Sequence, residues 1–203
     1  MTAALSLALA LAAFAGGKKK PIQTYELKPD QVAELDSGKL ITAKQTCENW
    51  ALAAGLEMML RPMKVALDQN FWVMRMNGGE ICVSDLPSLE SLAKTISGEF
   101  VLDDGRHVRV ELHYTHGAPG EVDSLIAGLQ QQQVSLLIWH GHSYYLTGVT
   151  YDEYIGRDGS RLFEIKELRL ANTFAGQPGI TFQRGRDDPG EIQGIVTVSV
   201  TAI

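Results

Sequence analysis

The 203-residue chain sets 18 Lys and Arg against 24 Asp and Glu, for a formal net charge of -6, and 45% of it is hydrophobic. Such a length fits one domain with a substantial core. The acidic balance argues against nucleic acid as a partner, since Lys18, Lys19 and Lys20 form the only run of like cations and are too few to hold phosphates tightly.

Residues 3–15 are almost wholly apolar and end in Ala13-Phe14-Ala15, ahead of Gly16-Gly17 and the lysines. This is the pattern of the hydrophobic part of a signal peptide, although no Lys or Arg precedes it. Residues 1–20 are therefore expected to be a signal peptide and linker. Residues 21–203 are expected to form one exported domain, periplasmic or secreted, with no membrane span. Residues 21–42 are mixed and polar, with Pro29, Asp36, Ser37 and Gly38 expected to break any long element, so residues 21–44 read either as an N-terminal arm packed on the domain or as a short leader. Leu52, Leu56, Met59 and Leu60 follow Trp50 at helical spacing and predict a helix over 48–60, ended by Arg61-Pro62. Leu67, Phe71 and Met74 predict a second helix, stopped by Asn77-Gly78-Gly79. Ser84-Asp85 and Pro87 read as the start of a third, with Leu89, Leu92, Ala93 and Ile96 facing inward.

The second half changes character. Residues 99–102 and 107–114 flank Asp103-Asp104-Gly105-Arg106 as a hairpin. A helix is predicted over 121–132. Strands are predicted over 134–140, 143–151, 161–170 and 192–200. The fold class is α+β, a helical N-terminal half packed on an antiparallel sheet from the C-terminal half, with a cleft between them.

Three blocks carry candidate chemistry. Gln45-Thr46-Cys47-Glu48-Asn49-Trp50 delivers a thiol to the predicted helix start, where unpaired N–H groups favour the thiolate. Gly141-His142-Ser143-Tyr144-Tyr145 offers an imidazole to serve as general base and acid. Leu170-Ala171-Asn172-Thr173-Phe174 offers an amide to orient that ring. Strand alternation puts His140 on the same face as His142, so periodicity does not choose between them, and Asp152 is a substitute orienter. Cys47 is also readable as an inert core cysteine. The second cysteine, Cys82, stands in Glu80-Ile81-Cys82-Val83 and reads as a small buried residue rather than a bridge. A Cys47–Cys82 bridge and a Cys47 thiolate exclude each other. His113, His116, His140 and His142 are the metal candidates, but neither Cys-x-x-Cys nor His-Glu-x-x-His occurs, so no metal or cofactor is expected.

Together these blocks resemble papain-like cysteine peptidases, especially the compact bacterial branch that includes double-glycine (bacteriocin-processing) peptidases. The resemblance spans residues 45–174. It implies a Cys47-His142-Asn172 triad, a thioester acyl-enzyme, a peptide or protein substrate, and Gln45 as an oxyanion donor. Two departures stand out. Glu48 follows the cysteine where the family has Gly or Trp. Gln45 lies two residues before Cys47, whereas the family's glutamine lies about six before its nucleophile. A papain-like cleft that has lost its chemistry would bind a peptide without cutting it, and transglutaminase-type acyl transfer would use the same triad. No feature of the sequence specifies an oligomeric state.

Overall fold

Strand-forming residues with alternating burial supply most of the architecture. The computed structural model describes residues 24–36, 43–82, 89–120, 122–174 and 177–203. The expected signal segment and the Ser84, Asp85 and Pro87 helix start lie outside these residues. In chain order the elements are β1 (Tyr25–Glu34), α1 (Ala51–Leu60), α2 (Gln69–Asn77), α3 (Leu89–Ile96), β2 (Gly98–Val101), β3 (His107–His116), α4 (Val122–Gln130), β4 (Ser135–Trp139), β5 (His142–Gly156), β6 (Arg161–Asn172), β7 (Ile180–Gln183) and β8 (Ile192–Ala202). The strands form one antiparallel sheet in the order β2-β3-β8-β4-β5-β6-β7, with β1 also paired to β5. The long β5 is its spine. β4 pairs with the start of β5 and β1 with the rest, while β6 follows it along nearly its whole length. The α+β class is as expected.

The arm is not broken at Pro29 as its composition predicts. Most of it that is described is β1, a strand in register with β5. Pro29 and Asp30 sit where the register shifts, and Asp30 has φ +52°. A proline is tolerated in a strand at such a bulge, where no ladder N–H is needed. Asp152 on β5 holds the bulge in place. Its Oδ1 accepts the Asp30 N–H at 2.9 Å and pairs with Lys166 Nζ at 3.0 Å. Burial alone would raise the Asp152 pKa, but these two bonds outweigh it and hold the carboxyl below its ordinary value. Asp152 is thus committed to the β1–β5–β6 clamp. It stands ten residues along β5 from His142, on the order of 33 Å in an extended strand, and is no orienter for it.

Helix α1 is the packing centre of the helical half. Residues Leu52 to Leu60 are all buried, and Tyr145 Oη of β5 donates to the Ala54 carbonyl at 3.3 Å. Gly55 lets β4 approach closely, because a Cβ there would collide with the Leu136 side chain. Glu57 is a buried carboxylate on this helix, and such a group must be paired. It pairs with Arg61 and accepts the Gln69 N–H at 3.1 Å. Gln69 in turn accepts from the Thr46 N–H at 3.1 Å and donates to the Lys44 carbonyl at 2.8 Å. This relay fixes the segment leading into α1.

The β4–β5 connection corrects another expectation. His140 and Gly141 both have positive φ, +51° and +76°, and Trp139 pairs directly with His142. They form a two-residue hairpin turn of the kind that matches strand twist. The alternation argument that put His140 beside His142 therefore does not hold. His140 stacks on Trp139 at 5.0 Å and faces Glu191 at 3.3 Å.

Candidate functional site

The segment before α1 is a reverse turn, not a first helical turn. The Trp50 N–H donates to the Cys47 carbonyl at 3.0 Å, and α1 opens at Ala51. The helix thus starts three residues later than the expected residue 48, and Cys47 lies outside it. Cys47 is joined to Cys82 in a disulfide with Cα atoms 6.1 Å apart, and neither cysteine is free. This overturns the reading of Cys82 as a buried residue; it is exposed. It also removes the Cys47 thiol on which the expected nucleophile depends. The cause lies in the turn after α2. Gly78, at φ +71°, caps that helix and sends the chain back past the residue 47–50 turn. There Trp50 Nε1 donates to the Ile81 carbonyl at 3.0 Å.

A cleft of about 270 Å³ opens between this segment and the sheet. One side is Gln45, Glu48 and Ala51; the other is His142, Ser143 and Tyr144 at the start of β5, with Asn172, Thr173 and Phe174 at the end of β6. Gln177 completes the lining, to which Cys47 does not contribute. The register explains the convergence of distant residues. Tyr144 is paired with Asn172, so alternation sets His142, Tyr144 and Asn172 on one face of adjacent strands. The structure therefore brings together His142, Asn172 and Gln45 around one space, and leaves Cys47, His140 and Asp152 out of its lining.

Each side chain has a defined commitment. Gln45 is buried, at 5% exposure. Its Oε1 accepts from Thr173 Oγ1 at 2.7 Å, and its Nε2 donates to the carbonyls of Cys47 and Glu48 at 2.6 and 2.8 Å. With both amide hydrogens used, Gln45 is a clamp between the turn and β6, and it does not offer the expected oxyanion donor. Asn172 Oδ1 accepts the Phe174 N–H at 2.8 Å, leaving its amide hydrogens as what it can offer. His142 is exposed, edge-on to Tyr144 with ring centroids 6.4 Å apart. Burial pushes the Tyr144 phenol pKa upward, so it stays neutral and able to donate. Among the described residues no group of three or more His, Cys, Asp or Glu is arranged to hold a metal.

Two lining residues belong to no catalytic pattern in the sequence. Ala51 has no functional group and is found only by counting from Gln45. Ser143 is 3% exposed, and its Oγ is buried with no hydrogen-bond partner. A buried unsatisfied hydroxyl costs about 1–3 kcal/mol. Ser143→Ala is therefore expected to raise unfolding stability by about 1 kcal/mol in a denaturant titration; a loss of stability would mean that the hydroxyl has a structural partner.

No family model, curated protein or solved structure matches the chain.

Proposed function

We propose that the protein is a papain-like module that holds peptides in this cleft without hydrolysing them. One observation carries the reading. The helix-start position that lines the cleft with His142 and Asn172 is Ala51, a methyl group. Gln45 stands six residues before it, position 45 against 51. That is the spacing the resemblance assigns to a glutamine and its nucleophile, so the register of the resemblance falls on Ala51 rather than Cys47. Acyl transfer needs an atom to attack the carbonyl. Among the described residues the lining supplies an imidazole, amides, hydroxyls and the Glu48 carboxylate, but no thiol. The Cys47–Cys82 disulfide is in keeping with an oxidising compartment, which supports export.

Labelling of the reduced protein tests this. With the disulfide opened, Cys47 and Cys82 are expected to react with an electrophilic peptide analogue no faster than a free thiol of pKa about 8.5. His142→Ala is expected to leave that rate unchanged, and the native protein is expected to release bound peptides intact. Fast, His142-dependent modification of Cys47 would overturn the reading and restore thioester chemistry, hydrolytic or of the transglutaminase type.

A further inference from the structure

We propose that the cleft selects peptides by a lysine or arginine side chain, an inference that rests on the peptide-binding reading and names the residue it favours. Two independent features point to a bound cation. The first is the charge of the walls. Glu48 lines the cleft and is exposed, and among the described residues it belongs to no ion pair. The carboxylates of Glu57, Glu153 and Asp152, by contrast, are each matched by an Arg or Lys of the chain. Neither Lys nor Arg is among the described residues that line the cleft, so its only fixed charge is negative. A ligand that displaces water from such a carboxylate costs free energy unless it brings a countercharge. The second feature is aromatic. Phe174, on the wall opposite Glu48, is a large apolar side chain left 38% exposed, with the half-buried Tyr144 on the same wall. Ring faces attract cations. Elsewhere the chain meets that attraction itself, with Arg75 over Phe100 at 5.0 Å and Arg161 over Phe163 at 5.3 Å. Among the described residues neither cleft ring has such a partner.

A carboxylate on one wall and ring faces on the other suit a side chain with an apolar stem and a charged head. Lys and Arg have that form, and their methylenes cover apolar surface while the head stays polar. The stem would lie along Phe174 and the head would reach Glu48. A peptide's own amino terminus carries the charge without the stem. Asn172 has its carbonyl oxygen committed and its amide hydrogens to give, which suits a backbone carbonyl of the same peptide. A protonated His142 would oppose the cation from the Phe174 wall, so binding is best measured on the alkaline side of neutrality.

Pools of randomised pentapeptide amides test the inference on the full disulfide-bonded protein. Each carries fluorescein on its amino terminus, which removes that charge, and a fixed central residue: Lys, Arg, norleucine or Glu. The Lys and Arg pools are expected to be retained about fivefold more strongly than the norleucine pool at low ionic strength, the order of one exposed ion pair with one cation–π contact. The Glu pool should be retained least, and added salt should shrink the ratio. Glu48→Gln should bring the fivefold ratio to about twofold, and Phe174→Leu should lower it while keeping the apolar surface. Equal retention of all four pools would overturn the cation inference and leave peptide binding standing. A preference for Lys and Arg that survives Glu48→Gln would trace to the net charge of -6 and overturn the assignment to Glu48. A norleucine pool tagged at its other end, with a free amino terminus, is expected to bind like its blocked form; retention equal to the Lys pool would overturn the side-chain assignment. Retention of no pool would sink both readings.

Discussion

Ala51→Cys should convert the cleft into a thiol site. A cysteine there would sit on the first residue of α1, where the uncapped helix start stabilises a thiolate, and would face the space lined by His142 and Asn172. A thiol with pKa about 8.5 is only a few per cent ionised at neutral pH, so a shift of one to two units raises the reactive fraction on the order of tenfold or more. The expected result is rapid modification of the new cysteine by an electrophilic peptide analogue, assigned by peptide mass mapping to keep it distinct from Cys47 and Cys82. Adding His142→Ala should slow it. Turnover of peptides should stay poor even so. The amide hydrogens of Gln45 are tied to the Cys47 and Glu48 carbonyls, and the lack of one oxyanion donor costs about 10²–10³ in rate. Fast labelling with slow hydrolysis would fit a peptide-binding cleft one atom short of a nucleophile. A cysteine at 51 that reacts like any surface thiol would remove Ala51 from the argument, and the papain-like register with it.

The parts of this outcome legible in the sequence are those written in local periodicity. Large apolar residues at helical spacing from Leu52 to Leu60 predict α1, and the Asp103-Asp104-Gly105-Arg106 turn signal predicts β2 and β3. His142 and Asn172 stand out in the sequence only through the Gly141-His142 and Asn172-Thr173-Phe174 blocks; the Tyr144–Asn172 pairing that sets them beside one cleft is long-range and leaves no local mark. What failed was decided by single hydrogen bonds and long-range pairing. The Trp50-to-Cys47 turn moves the helix start by three residues, and nothing in the composition of residues 47–50 marks it. β1 is hidden by Pro29, whose bulge is held by Asp152, 122 residues from Asp30. β7, four residues long, is too short to show a period. Ser143 has no sequence signal at all, because its importance is the partner it lacks. Ala51 has one, the six-residue count from Gln45, but a methyl group carries no chemistry that marks it as part of a site.

Opening the Cys47–Cys82 bridge is expected to have the largest effect on stability of any single change to the site. The two cysteines are 35 residues apart, and a closed loop of that size removes unfolded-state entropy worth about 3–4 kcal/mol. For a chain of this length that corresponds to roughly 8–15 °C in melting temperature. The Cys47→Ser/Cys82→Ser double variant should show it, and avoids leaving one unpaired thiol. The effect should reach the cleft as well. The bridge and the Trp50-to-Ile81 bond hold the 47–50 turn from outside, while Gln45 and the Glu57–Gln69 relay hold it from inside. Removing the outer tether leaves Glu48 and the approach to Ala51 restrained from one side only. Peptide retention should therefore weaken in the double variant at temperatures well below its own melting point, and hydrogen exchange should rise at residues 46–50 before it rises in β5. If the bridge served stability alone, melting would fall while retention and exchange at the turn stayed at native values, and the cleft wall would then be set by Gln45 and its partners without help from the sulfurs.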